Sequence, residues 1–207
     1  MCGRYVITSP VSKTKKIVKS AIKIDDLQNY NAHPYQDLPV IKKYLNGNTL
    51  EKLKWGIVPS WSKLKDFKPL INARLETIDQ KITFKKLIQL NRCVVVADGF
   101  YEWKRSKESK TPFYFTREDK KTLYVAGIFE NNEFCLITEE ASQNVMDIHH
   151  RQPVILDNNE IDNYLDLKKD GKKYLSQIKK IPLNFYEISK EVNKPTNNYP
   201  SLISKLN

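Results

Sequence analysis

The chain has 207 residues, 40% of them hydrophobic and 29% charged, with a formal net charge of +11. That length and mix suit one folded domain with a sizeable core and exclude a disordered chain. No apolar run reaches the length of a membrane span, and the first twenty residues lack the apolar core of a secretory signal, so a cytoplasmic protein with no membrane partner is expected.

YVIT, near the start, is a short strand that ties the N-terminal residues to a sheet. Residues 12–22 (SKTKKIVKSAI) and 80–90 (QKITFKKLIQL) carry apolar positions at helical spacing. Beyond residue 92 the pattern turns strand-rich: RCVVVADGFYEWKR, TPFYFTR, TLYVAGIFEN and NEFCLITEE are β-branched or aromatic runs separated by polar or Gly/Pro turns. A polar helical stretch, EIDNYLDLKKDGKKYLSQIKKI, is broken at Gly171, and NFYEIS returns to strand. No repeat or linker divides the chain, so an α+β fold with a single domain over residues 2–207 is expected.

Three cysteines, at positions 2, 93 and 135, fit neither a disulfide framework nor a zinc site, and no metal is expected. Cys93 and Cys135 lie in apolar strand-like runs and read as small buried hydrophobes. Cys2 is different. If Met1 is removed, Cys2 carries a free α-amine and a thiol on adjacent carbons, a pair that no internal residue offers.

The net charge makes a polyanionic partner a natural expectation, although a lysine-rich face can also be plain solvated surface. There are 29 lysines and six arginines. Arginine in such a chain marks positions where a planar five-donor fork is needed. Arg4 in CGR, Arg74 in NAR and Arg151 in HHR lie beside other chemical residues, and each either grips a phosphate or carboxylate or braces the fold through a buried ion pair.

Glu102 in DGFYEWK sits between two aromatics, where partial desolvation raises a carboxyl pKa and suits it to proton transfer; the alternative is an exposed strand carboxylate. His149 and His150 in DIHHRQPVIL would point to opposite faces if extended, so at most one is expected to face a common site. His33 in NAHPYQ reads as structural. Trp55 and Trp61 in WGIVPSW are either core anchors or a platform for unpaired bases. Asn72 and Arg74 in LINARLET share a face if that stretch is a strand.

Taken in order, MCGRY, LKWGIVPSW, LINARLETI, RCVVVADGFYEWK, IHHRQPVIL and EVNKPTNNYPSLI resemble the motif blocks of the SRAP (SOS-response-associated peptidase) family of abasic-site processing proteins, from residue 2 to about residue 203. The resemblance implies a mostly antiparallel sheet or open-barrel core with flanking helices. It implies a covalent adduct between Cys2, freed by Met1 removal, and the ring-opened aldehyde of an abasic site in single-stranded DNA. The α-amine would form a Schiff base and the thiol would close a thiazolidine. An α-amine, with a pKa of about 7.7–8.0, is substantially neutral and nucleophilic near physiological pH.

By the same resemblance, Glu102 serves proton transfer, Asn72 holds the cysteine and the sugar, and His149 assists at the sugar in β-elimination or crosslink reversal. Arg4, Arg74 and Arg151 are basic DNA contacts, while Trp55 and Pro59 lie in the block expected to line the DNA cleft. No cofactor is implied, and a monomer acting in the cytoplasm, on nucleoid DNA when bound, is expected. The family usually reads IHDRMPVIL where this chain has IHHRQPVIL, so His150 replaces an acidic residue and Gln152 a methionine. Two other readings stay open: a cysteine-dependent autoproteolytic peptidase, and a non-covalent module for single-stranded nucleic acid.

Overall fold

The computed structural model describes residues 2–22, 24–64, 66–106 and 109–206; Met1, whose removal is expected from the sequence, lies outside them. Its strands are β1 (Arg4–Thr8), β2 (Ser20–Ala21), β3 (Gln28–Ala32), β4 (Asp37–Tyr44), β5 (Gly47–Trp55), β6 (Asn72–Arg74), β7 (Arg92–Ala97), β8 (Gly99–Arg105), β9 (Lys110–Arg117), β10 (Leu123–Glu130), β11 (Glu133–Glu140), β12 (Arg151–Pro153), β13 (Ile155–Leu156) and β14 (Leu183–Glu187). The helices are short: α1 (Pro10–Thr14), α2 (Ile82–Leu90), α3 (Gln143–Met146), α4 (Ile161–Leu165) and α5 (Gly171–Leu175).

Two sheets result. One runs β14-β9-β8-β1-β3, the other β12-β11-β10-β7-β4-β5-β2, with β6 on β11 and β13 on β10. Most pairings are antiparallel; β11 pairs in parallel with β6 and, over two residue pairs, with β5, which curls the larger sheet back toward itself. This is the mostly antiparallel α+β architecture anticipated from the sequence.

The β-branched run of β7 is buried at all six positions because it lies between β10 and β4 with both faces covered. At Asp98 the chain leaves that sheet and enters the other as β8. The Asp98 carboxylate accepts from the amide and hydroxyl of Thr8 at 2.8 and 2.6 Å, fastening the corner to β1. Gly99 follows because a Cβ there would collide with the Phe115 carbonyl and the Tyr114 ring.

Two helical expectations are corrected. Residues 12–22 form one helical turn only: beyond Thr14, the Lys19 amide donates to the Asn48 carbonyl at 2.8 Å and β2 pairs with Thr49 and Leu50. Sheet pairing wins over a polar sequence of modest helical pattern. The 160–181 stretch is two short helices, and the interruption precedes Gly171, which is the first residue of α5. A side chain at Gly171 would meet the Ile88 carbonyl and Arg92, so glycine there permits close packing of α5 on α2.

Candidate active site

Register carries the site residues together. Arg4 lies opposite Tyr101 and Tyr5 opposite Phe100, so the start of β1 runs alongside Glu102 on β8. On the other sheet, β11 is flanked by β6 on one side, pairing Leu136 with Asn72, and by β12 on the other, pairing Glu140 with Arg151. Asn72 and His149, two residues before β12, are thereby brought toward the N-terminal segment from the second sheet.

Cys2 is 1% exposed, and its thiol donates to the Arg4 carbonyl at 3.7 Å. The Asn72 Nδ2 donates to the Cys2 carbonyl oxygen at 2.9 Å. That bond fixes the orientation of the Asn72 amide and leaves its buried Oδ1 with no hydrogen bond among the described residues. A buried polar atom of this kind costs about 1–3 kcal/mol. An arriving amine or hydroxyl donor would relieve it.

Glu102 is 3% exposed, and its Oε1 lies 3.8 Å from Nδ1 of His149. The desolvated-carboxylate alternative is the one observed. Burial pushes its pKa above the ordinary carboxylate value. Burial and the neighbouring Glu102 charge push the Cys2 thiol well up, while burial lowers His149. The Arg151 amide lies 3.0 Å from His149 Nδ1 and donates to it when that nitrogen carries no proton. The Arg151 carbonyl, 3.1 Å from the same nitrogen, is positioned to accept when the ring is protonated.

His149 and His150 do not diverge as an extended pair would. Their rings stack with centroids 4.5 Å apart at 26°, because both residues precede β12 in a bend after α3. Only His149 lines the cleft with Glu102, while His150 faces a neighbouring pocket of about 370 Å³ beside Arg74 and Arg151. His33 bonds locally to Gln36 and Pro34, away from the cleft.

The arginines divide. Arg151, 7% exposed, donates to both carboxylate oxygens of Glu76 at 2.7 and 3.0 Å and to the Thr138 carbonyl and hydroxyl at 2.6 and 3.2 Å. Arg4 donates to the Asn31 side chain at 3.0 Å, to the Val192 carbonyl, and to the Asn193 carbonyl at 3.2 Å. Both brace the fold. Arg74 is exposed at the pocket that His150 lines.

Trp55 is fully buried, tilted against Tyr5 and stacked on Phe134, and its indole donates to the Ile71 carbonyl at 2.9 Å. It is a core anchor, and its ring is not available to a base. Pro59 is buried as well. Trp61 is 54% exposed and meets Phe67 edge-on.

A cleft of about 330 Å³ opens over Glu102 and His149. Five of its residues were given no role from the sequence: Gly3, Trp103, Arg105, Lys110 and Asn193. Trp103 is next to Glu102, and Asn193 lies in EVNKPTNNYPSLI, so proximity in sequence and the C-terminal block were the available signals. Among the described residues there is no cluster of three or more His, Cys, Asp or Glu suited to a metal ion, and no helix long and apolar enough to cross a membrane.

Comparison with known proteins gives a consistent assignment. The chain is similar to the abasic site processing protein YoqW of Bacillus subtilis (strain 168), 31% identical over 225 residues that cover 98% of this chain and 99% of the relative. It is 32% identical over 222 residues to the abasic site processing protein HMCES of Gallus gallus, covering 84% of this chain and 65% of that one. A crystal structure of a Bacteroides thetaiotaomicron protein superposes with a TM-score of 0.82 at 21% identity, covering 99% of this chain and all of the other, a likeness of fold. The family model described as SOS response associated peptidase (SRAP) matches residues 1–195. With a family model matching nearly its whole length and a relative 31% identical over almost all of both chains, the chain belongs to the SRAP family.

Proposed function

We propose that the protein processes abasic sites in single-stranded DNA by forming a covalent adduct through Cys2. The observation that carries this reading is the 2.9 Å bond from Asn72 to the Cys2 carbonyl, which holds the first residues of the chain at the cleft containing Glu102 and His149.

The chemistry follows from the residues. Once Met1 is removed, the α-amine of Cys2 adds to C1′ of the ring-opened sugar, giving a carbinolamine. Loss of water, with Glu102 supplying a proton to the departing hydroxyl, gives the imine. The Cys2 sulfur then adds to the imine carbon, its proton passes to nitrogen, and a five-membered thiazolidine closes. The amine goes first because burial and the Glu102 charge keep the thiol protonated. The buried Oδ1 of Asn72 is an acceptor for the amine or for the carbinolamine hydroxyl. Glu102, its pKa raised by burial, takes and returns the protons of these steps. His149, its pKa lowered by burial, serves proton transfer at the sugar, in strand cleavage or in reversal of the adduct.

Arg74, exposed beside the cleft, contacts DNA phosphate, while Arg151 and Arg4 hold the site residues in place. The test is a denaturing gel of wild type and Cys2→Ala, Met1 removal checked by intact mass, with an oligonucleotide carrying one abasic site. A heat-stable shifted band for wild type alone supports the reading. Equal bands, or none with Met1 absent, overturn the covalent mechanism and favour non-covalent binding.

A further inference from the structure

We propose that the part of the cleft bounded by Trp103, Arg105, Lys110 and Asn193 is a phosphodiester subsite, in which the Asn193 amide, oriented by the Trp103 indole, donates to a phosphate of the lesion-bearing strand. This rests on the reading that the protein binds abasic single-stranded DNA.

Arg105 and Lys110 lie directly opposite each other across β8 and β9. Like charges in that position destabilise a strand pair, and among the described residues neither cation has an ion-pair partner. The Lys110 ammonium lies 4.7 Å from the Trp103 ring centroid, and the Arg4 guanidinium lies 6.0 Å from it. Two cations thus crowd one indole, and Arg105 lies across the strand pair from one of them. Burial, with Arg105 and Arg4, pushes Lys110 below its usual pKa. An anion seated between Arg105 and Lys110 would remove that repulsion.

Asn193 supplies geometry. An indole N–H is a donor only, and that of Trp103 donates to Asn193 Oδ1 at 2.8 Å, so the carboxamide must turn its oxygen to Trp103. Among the described residues no hydrogen bond uses the Asn193 Nδ2, and the residue lines the cleft. Its backbone is pinned as well. Arg4 donates to its carbonyl, and the buried Asn31 donates to the carbonyls of Val192, Lys194 and Asn197 at 3.2, 3.1 and 3.0 Å. Two N–H donors are therefore held in a fixed direction next to two cations that have no ion-pair partner among the described residues. A tetrahedral oxyanion with several lone-pair directions fits that set, and within reach of Glu102 and His149 the source of such an anion is the backbone of the bound strand.

Binding to a single-stranded oligonucleotide with a tetrahydrofuran abasic analogue, which cannot form a Schiff base, tests this by fluorescence anisotropy across a salt series. Asn193→Asp keeps the acceptor for Trp103 and puts negative charge where the donor stood. We expect it to weaken binding at least tenfold with an unchanged unfolding midpoint. Lys110→Gln should make the slope of log K against log salt shallower by about 0.7, the loss of one phosphate contact on a single strand. If both variants match wild type in affinity and slope, the subsite is overturned. If wild type itself does not bind the oligonucleotide, the reading of the site as one for abasic DNA fails, and the subsite fails with it.

Discussion

The side chain of Asn72 and the carbonyl of Cys2 are joined across 2.9 Å although 70 positions separate them, and that bond links the strand on β11 to the segment leading into β1. It is a positioning contact at the residue whose geometry the chemistry depends on. Asn72→Ala should slow adduct formation by about 10–100-fold, the scale of a misplacement near 1 Å, with about 1 kcal/mol lost in stability. Single-turnover gel kinetics at saturating DNA, alongside urea unfolding, separate the two effects. An unchanged rate would remove Asn72 from the site.

Glu102 gives a pH signature. Its folded pKa lies above the unfolded value of about 4.3 because burial disfavours the carboxylate. The folded state therefore holds the proton more tightly. The stability Glu102 contributes is present in full below about pH 4 and declines as pH rises through the folded pKa. Relative to Glu102→Gln, wild type should lose stability over that rise. The rate of adduct formation should show an ionisation above the ordinary carboxylate range in wild type that is missing in Glu102→Gln. Unfolding midpoints and rates measured from pH 4 to 8 check both statements.

Arg151 and Arg74, close in space at one pocket, should behave in opposite ways. Removing Arg151 strips Glu76 of two charged hydrogen bonds and the Thr138 carbonyl of another. Arg151→Ala should cost about 2–3 kcal/mol, the range for hydrogen bonds involving charged groups. Arg74→Ala, at an exposed position, should leave stability within about 0.5 kcal/mol and weaken DNA binding. Chemical denaturation and anisotropy on the same preparations decide the matter.

The two tryptophans of WGIVPSW should divide likewise. Trp55→Ala should destabilise by about 3–5 kcal/mol, since it empties a core position between Tyr5 and Phe134. Trp61→Ala should leave the unfolding midpoint nearly unchanged, because the ring is exposed. A large loss of stability in Trp61→Ala with none in Trp55→Ala would contradict the packing described.

Much of this protein was determined by its sequence alone. The β-branched and aromatic runs beyond residue 92 specify strands because such side chains pack on pleated surfaces, and β7 to β11 appear where those runs lie. The motif order identified the family. For Glu102 the sequence left an exposed strand carboxylate as well as a desolvated one, and the fold decided for burial. Only the tertiary structure decided the rest. Residues 12–22 gave up their helix to a pairing with β5, because a partner strand lies outside the reach of local pattern. Arg4, Arg74 and Arg151 are alike in sequence, yet Glu76, Asn31 and the C-terminal carbonyls, all distant along the chain, made two of them braces and left one exposed. Asn193 reached the cleft in the same way, through Arg4, Asn31 and Trp103. Which atom meets which across the fold depends on long-range packing, and periodicity in sequence records only what a residue's own element does.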